Sequence, residues 1–184
     1  MNKINRTVRI SGKRIDLCVH HVSRHLKNCL LWINDEKIIN YLTVGFFPLN
    51  ENAEKKWLER EVSDTDIAFA IETKNGVHIG NIGLHLIDWK NRKAELGIMI
   101  GNRNFWGKGI ATEAEALLIA HGFNIGLNKI TIKAISENTG SIKAALKNKL
   151  RFEGSQRDDI YKNGRFYDVN VYSILRSEWD NLNK

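Results

Sequence analysis

The feature that most constrains the fold is a strand that runs through closely spaced glycines into a helix. Residues 92–100 alternate in side-chain character as a strand does, and residues 110–124 carry apolar side chains at helical spacing. Gly107 and Gly109 lie between them, and without a Cβ atom the backbone there can bend sharply and bring its N–H groups close to a ligand. The unpaired N–H groups and the dipole of the following helix favour an anion. The segment therefore predicts an α/β unit that binds a phosphate or pyrophosphate.

Two common phosphate-binding motifs do not fit this glycine turn. A Walker loop has four residues between its first glycine and the Gly-Lys-Ser/Thr group, whereas Gly101 and Gly107 are separated by five. In addition, Gly109 stands where that loop needs a magnesium-binding hydroxyl. The dinucleotide fingerprint needs a third glycine where this chain has Thr112. Both motifs are therefore excluded.

The rest of the chain alternates between strand and helix patterns, with no internal repeat and no linker rich in Pro, Gly or Ser. The predicted strands cover residues 8–10, 15–19, 67–71, 77–86, 92–100, 129–135, 151–161 and 166–175. The predicted helices cover residues 21–33, a stretch capped by Asn50 or Asn52 that carries Trp57, Leu58 and Val62, residues 110–124 and residues 140–148. Asn75-Gly76 predicts a hairpin turn, because both residues accept positive φ. We expect a mixed α/β (α+β) fold, with a largely antiparallel twisted sheet of about seven strands flanked by four helices.

Length and composition are those of a globular chain. At 184 residues, the usual domain size predicts a single domain, 1–184. Hydrophobic residues make up 42% and proline occurs once, which excludes disordered and low-complexity classes. Cys18 and Cys29 are too few for a disulfide framework or a zinc site, so we expect no metal and reduced thiols. Without a membrane-length apolar run or a signal-peptide pattern, the sequence predicts a cytoplasmic protein with no membrane partner.

The chain is basic, with 28 Lys and Arg against 21 Asp and Glu, a formal net charge of +7. The positive electrostatic field of such a chain attracts phosphates on a cofactor, a nucleic acid or a membrane surface. The basic residues are scattered, so a solvated basic surface explains them equally well. No interleaved aromatic and basic pattern of the kind that stacks bases is present, and nucleic-acid binding ranks low.

The glycine turn resembles a loop of a known enzyme family. Trp106-Gly107-Lys108-Gly109-Ile110-Ala111 resembles the acyl-CoA loop of the GNAT N-acetyltransferases, Gln/Arg-x-x-Gly-x-Gly/Ala, with tryptophan in the first place. With the following Thr-Glu-Ala, the loop is similar to that of the RimJ/RimL-type subgroup, which acetylates ribosomal-protein N termini. The resemblance implies acetyl-CoA as acetyl donor. It implies these cofactor-binding residues: Ile98, Met99, Ile100, Phe105, Trp106, Gly107, Lys108, Gly109, Ile110, Ala111 and Thr112.

The C-terminal third extends the resemblance, which covers residues 77–176. Asn138 and Ser141 match the family's Asn-x-x-Ser/Ala pattern, in which the asparagine faces the pantetheine arm and the later residue lies near the thiol. A helix N-cap explains Asn138 equally well. The chain departs from the family at Ala145, where many members carry a tyrosine that acts as general acid, and at Lys149-Leu150, where Gly-Phe is usual. Ser141 therefore becomes the candidate acid.

Glu95 is the candidate general base. In its strand it lies on the face opposite to Leu96, Ile98 and Ile100, and it matches a glutamate of the subgroup. A surface carboxylate paired with Lys93 or Arg92 is the structural alternative. Backbone N–H groups near Met99 or Ile100 are expected to polarise the thioester carbonyl, because this strand splays in the family. His85 and Asp168 are secondary candidates, each more often structural than catalytic.

The resulting hypothesis is an acetyl-CoA-dependent N-acetyltransferase that acts on a primary amine, first of all a protein N-terminal amine. An α-amine has a pKa near 7.7–8.0, so a carboxylate acting through water can suffice as base. The alternatives are a small-molecule acceptor (polyamine, aminoglycoside or amino sugar) and, third, a non-catalytic RNA- or ribosome-binding module. The net charge of +7 disfavours a polycationic acceptor. Acidic pairs in the second helix, such as Glu51 and Glu54, weaken this argument only slightly. A homodimer through the last strands is also expected.

Overall fold

A computed structural model describes residues 6–42, 47–59 and 63–182. One mixed sheet of eight strands runs through the described chain. The strands are β1 (Val8–Ser11), β2 (Ile15–Cys18), β3 (Ile67–Thr73), β4 (His78–Asp88), β5 (Lys93–Met99), β6 (Lys129–Ile135), β7 (Arg151–Lys162) and β8 (Arg165–Leu175). The helices are α1 (Val22–Ile33), α2 (Glu36–Ile39), α3 (Glu51–Leu58), α4 (Ile110–Asn124), α5 (Thr139–Lys147) and α6 (Arg176–Leu182).

The sheet order is β1-β2-β3-β4-β5-β6-β8-β7, and every neighbouring pair is antiparallel except β5 and β6. That parallel pair is short, because only Lys93 to Glu95 of β5 pair with Lys129 to Thr131 of β6. Beyond Glu95 the two strands are no longer paired. The sheet therefore opens along its middle, at the end of β5 that leads into the glycine turn.

The core lies between the sheet and α4. Apolar side chains from β2 to β6 pack with the inner face of this helix, where Ala114, Leu118 and Ile119 are fully buried. The apolar face of α4 seen in the sequence is thus the face that holds the glycine turn against the sheet. Among the described residues, no helix is long and apolar enough to cross a membrane.

The mixed α/β fold predicted from the sequence is confirmed, and the bounds of α4 and β6 agree with the prediction. The structure adds α2 and α6, which have four and seven residues and are too short for helical periodicity to be recognised. It also counts eight strands where about seven were expected. Asn50 caps α3 by accepting from Ala53 N at 2.9 Å, while Val62 lies outside the described residues.

The turn prediction at Asn75-Gly76 is only half right. Gly76 has φ +79°, but Asn75 is not left-handed. Gly76 N donates to Thr73 O at 2.9 Å, as in a type I turn followed by a left-handed residue. Positive φ at both positions occurs instead at Asn163 and Gly164, the turn between β7 and β8.

Candidate active site

The glycine turn presents a row of backbone N–H groups at the start of α4. Gly107 and Gly109 have φ of +70° and +74°, in the left-handed region where side chains with a Cβ are strained. The first α4 residue to donate within the helix ladder is Glu113, whose N–H reaches Gly109 O at 3.2 Å. The N–H groups before it have no partner in the helix ladder. A Cβ at Gly107 would meet nothing within 4 Å, so this side of the loop is open to a ligand.

Arg14, in the turn between β1 and β2, holds the carbonyl side of this loop. Its guanidinium donates to Lys108 O at 2.6 Å and to Gly109 O at 2.9 Å, and it pairs with Glu113 at 2.6 Å. In a trans peptide the C=O and the following N–H point in opposite directions. The N–H groups of Gly109 and Ile110 therefore point away from Arg14, toward the side where an anion would bind.

Trp106 fixes the other end of the loop, because its indole Nε1 donates to Ile100 O at 2.6 Å. Phe105, just before it, packs partly buried against the core. Ile110 is buried, whereas Ala111 and Thr112 are half-buried in the first turn of α4. The cofactor-binding residues predicted between Phe105 and Thr112 thus form one continuous loop and helix start. The N–H groups of this loop and of the first turn of α4 fit a pyrophosphate.

A cavity of about 590 Å³ lies beside the unpaired part of β5. It is bounded by α1 and α3 on one side and by β4 and β5 on the other. The lining residues are Ile33, Leu42, Leu49, Ala53, Glu54, Trp57, Ala68, Asn81, Ile82, Gly83, His85, Glu95, Leu96, Gly97, Ile98, Met99 and Lys133. Three predicted residues, Glu95, Ile98 and Met99, therefore share the wall of one cavity. Its volume is in the range of small-molecule sites.

Glu95 faces this cavity with about a third of its side chain exposed, and its carboxylate lies 2.7 Å from Lys133 Nζ. The sequence alternative gave it Lys93 or Arg92 as partner, and that assignment is wrong. The correct partner comes from β6, which the parallel pairing places next to β5. The ion pair leaves the carboxylate accessible from the cavity.

The start of α5 carries the other two predicted residues. Asn138 Oδ1 accepts from Ser141 N at 3.1 Å, so Asn138 is the N-cap of the helix. Ser141 is half-buried there. It is not one of the described residues that line the cavity. Ala145, where the family resemblance implies a tyrosine in many members, is fully buried.

The secondary candidates have structural partners. His85 lines the cavity and its Nδ1 lies 2.7 Å from Asp66 Oδ1. Asp168 accepts from Asp158 N at 3.0 Å, within the β7–β8 hairpin. Across residues 6–42, 47–59 and 63–182, no three His, Cys, Asp or Glu side chains are grouped to hold a metal ion.

Behind the cavity lies a buried polar network. Asn81 Oδ1 lies 3.1 Å from both His20 Nε2 and His78 Nε2, and Asn81 Nδ2 donates to Cys29 Sγ at 3.3 Å. Burial lowers the pKa of His78 to about 4, with a further contribution from nearby His25. The imidazole of His78 is therefore neutral at pH 7, as its packing in the interior requires.

Sequence reasoning missed Arg14, Lys133 and the placement of Glu54. Arg14 and Lys133 act on segments remote in sequence, so no local pattern marks them. Glu54 was noticed only as one of an acidic pair on a helix, whereas the structure buries its side chain beside the cavity.

Comparison with known proteins agrees with this geometry. Residues 17–151 match the acetyltransferase (GNAT) domain family. The chain is 36% identical over 160 residues to the uncharacterized N-acetyltransferase p20 of Bacillus licheniformis, covering 82% of this chain and 86% of that protein. It is 32% identical over 98 residues to the ribosomal-protein-serine acetyltransferase of Escherichia coli, covering 53% and 54%. The microcin C7 self-immunity acetyltransferase MccE, solved with acetyl-CoA and AMP, superimposes with a TM-score of 0.77 at 28% identity, covering 89% of this chain and 93% of that one.

The chain therefore belongs to the acetyltransferase (GNAT) domain family and is an acetyl-CoA-dependent N-acetyltransferase.

Proposed function

We propose that this enzyme transfers the acetyl group of acetyl-CoA to a protein N-terminal amine. The observation that carries the proposal is the adjacency of two spaces, the opening between β5 and β6 and the cavity beside it, which β4, β5 and Lys133 of β6 line. A donor lying in the opening and an amine lying in the cavity would meet at Ile98 and Met99. The similarity to a ribosomal-protein-serine acetyltransferase supports a protein N terminus as acceptor.

In the proposed reaction the amine nitrogen attacks the thioester carbonyl carbon, the C–N bond forms and the C–S bond breaks. Glu95 takes the ammonium proton through water before the attack, and Ser141 donates a proton to the departing thiolate. The second proton, which the nitrogen loses as the tetrahedral intermediate collapses to the amide, reprotonates Ser141. Backbone N–H groups at Met99 or Ile100 stabilise the negative charge that develops on the carbonyl oxygen. Gly107, Gly109 and the first turn of α4 hold the CoA pyrophosphate, and Asn138 contacts the pantetheine arm.

The test of the proposal is release of free thiol from acetyl-CoA by the purified protein with matched acceptors. We expect release with N-terminal peptides of ribosomal proteins and none with the same peptides blocked at the α-amine. Thiol release with spermidine, an aminoglycoside or a nucleotide-linked amino sugar alone would assign a small-molecule acceptor instead. That second candidate is favoured by the cavity volume of about 590 Å³, which lies in the range of small-molecule sites.

Glu95→Gln should lower kcat on the order of 100-fold at pH 7 and leave the affinity for acetyl-CoA unchanged, because a general base contributes about 10²- to 10⁴-fold. The pH–rate profile gives a second readout. The defect should shrink as the pH rises past the pKa of the acceptor amine, when the amine no longer has to be deprotonated before it attacks.

Glu153→Gln is the matched control for Glu95→Gln. Glu153 makes a similar ion pair with a lysine of β6, Lys129, at 2.7 Å and lies on β7, away from the cavity. We expect the control to retain wild-type turnover. Equal turnover in the two variants would remove Glu95 from the mechanism.

Arg14→Ala should raise KM for acetyl-CoA roughly five- to tenfold while kcat at saturation stays close to wild type. The reason is that Arg14 contacts only the carbonyl side of the loop, so its loss disorders the opposite N–H groups at a cost of about 1 kcal/mol. Steady-state kinetics at varied acetyl-CoA measure the effect. Lys13→Ala removes the same charge from the same turn and should leave KM unchanged, and a comparable rise in both variants would point to net charge rather than to the loop.

A further inference from the structure

The cavity wall contains a carboxylate that the proposed reaction does not use. Glu54, on the inner face of α3, is 6% exposed and lines the cavity. No hydrogen bond or ion pair joins its side chain to another residue within the described ranges. By contrast, the cavity's other glutamate, Glu95, already has Lys133 as a counter-ion.

A buried carboxylate without a partner is costly, and proteins rarely keep one unless a ligand completes it. Ile33, Ala53 and Ile98 in the cavity wall are apolar, and Lys133, which also lines the cavity, is paired with Glu95. Burial also raises the pKa of Glu54, because desolvation disfavours the ionised carboxylate, and a positive charge placed beside it would favour the ionised form again. The ligand that the cavity fits is therefore a cation on an apolar stem.

That cation is unlike the amine that receives the acetyl group. An amine must be neutral to attack the thioester, and direct contact with a carboxylate would hold it in its protonated form. A group held by Glu54 therefore keeps its charge and serves as an anchor. Without such an anchor the net charge of +7 would disfavour a doubly charged acceptor.

We propose that Glu54 selects acceptors that carry a second cationic group on an apolar stem, in addition to the amine that is acetylated. The inference rests on the proposed acetyl transfer and names the class of acceptor for it. A lysine side chain next to a peptide N terminus and the far ammonium of a diamine both have this chemistry.

The experiment compares acceptors that differ only by that ammonium. One arm uses two N-terminal peptides with lysine or norleucine at the second position, and the other uses 1,5-diaminopentane and pentylamine. For wild type we expect one of the two pairs to be acetylated. In that pair, KM should be at least tenfold lower for the acceptor with the second ammonium (the lysine peptide or 1,5-diaminopentane) than for its uncharged counterpart, as for close charge pairs in other interfaces. In Glu54→Gln the advantage should disappear, while kcat stays near wild type.

Glu51→Gln is the matched control, because it removes the same charge from an exposed position of the same helix. It should keep the full selectivity. Glu54→Gln is expected to fold, since it replaces a buried charge with a neutral side chain of nearly equal size, and a thermal melt of each variant checks this.

A binding measurement separates this inference from the proposed function. Calorimetric titration of each acceptor of the two pairs into the enzyme, with CoA present, gives its affinity without turnover. Charge-selective binding that is lost in Glu54→Gln supports the anchor even if no acetyl transfer occurs. Turnover with equal KM for charged and uncharged acceptors, or selectivity that survives in Glu54→Gln, overturns it and leaves the acetyltransferase proposal standing.

Discussion

Replacing Glu72 by Gln lowers the free energy of unfolding at pH 7 by about 3 kcal/mol, as measured by urea denaturation. Glu72 is fully buried in β3 and accepts from Arg6 at 2.6 Å, Arg24 at 2.8 Å and His25 at 2.9 Å. His25 Nδ1 accepts from His21 N, so its ring proton lies on Nε2 and is donated to Glu72. Removing the carboxylate leaves the guanidinium of Arg24 without a buried counter-charge and leaves that of Arg6 with Asp16 alone.

The same carboxylate makes stability depend on pH. Burial alone would raise the pKa of Glu72, but hydrogen bonds from His25, Arg24 and Arg6 outweigh it and lower the pKa to about 2, from 4.5 in the unfolded chain. A depressed folded-state pKa gives stability that is present above the unfolded pKa and is lost as the pH falls through the folded one. Wild type should therefore lose stability between about pH 4.5 and pH 2, and Glu72→Gln should lose less over this interval. Asp16, whose pKa is also about 2, keeps part of the slope in the variant.

Glu59→Gln is the control for this prediction. Its carboxylate lies 3.9 Å from Lys55 on the exposed side of α3, and such surface pairs contribute at most about 1 kcal/mol. An equal loss in the two variants, or an unchanged acid slope in Glu72→Gln, would show that the network around Glu72 does not hold β3 to the N-terminal elements.

Replacing Gly109 by Val weakens acetyl-CoA binding at least tenfold. With φ of +74°, this position strains any residue with a Cβ and most of all a β-branched one, so the loop must move to relieve it. The N–H groups of the loop then no longer point together at the proposed pyrophosphate site. Calorimetric titration with acetyl-CoA gives the affinity, and a denaturation midpoint gives the accompanying loss of stability.

Gly126→Val provides the matched comparison for Gly109→Val. Gly126 also has positive φ, +108°, and a Cβ there meets nothing within 4 Å, but it follows the opposite end of α4. The Gly126→Val variant should lose stability and keep its affinity for acetyl-CoA. If affinity fell equally in both variants, backbone strain alone would account for the effect and the loop would not be the binding site.

The parts that the sequence predicted well are those with a local cause. Two glycines in a short interval before an apolar helical pattern predicted the loop and the bounds of α4, because positive φ and helical periodicity are set by neighbouring residues. Asn138 as an N-cap is of the same kind. The fold class followed from the order of such segments.

The parts that the sequence did not predict are tertiary. Arg14 contacts a loop 94 and 95 residues away, and Lys133 reaches Glu95 only because β5 and β6 pair in parallel. Glu54 shows the same limit, because a charged residue on a short helix is ordinarily assigned to solvent. Only the packing of α3 over the cavity shows that it lies inside.

The helical wall of the cavity and the proposed donor site come from separate parts of the chain. The helical wall comes from residues between Ile33 and Trp57, whereas the loop and helix start proposed to hold the donor come after position 100. Substitutions between Ile33 and Trp57 can therefore change which acceptor is used while Arg14 and the loop that it holds stay intact. A gene exchange or a mutation confined to that segment would leave the donor half in place for a new acceptor, so this architecture favours divergence of specificity while the chemistry is retained.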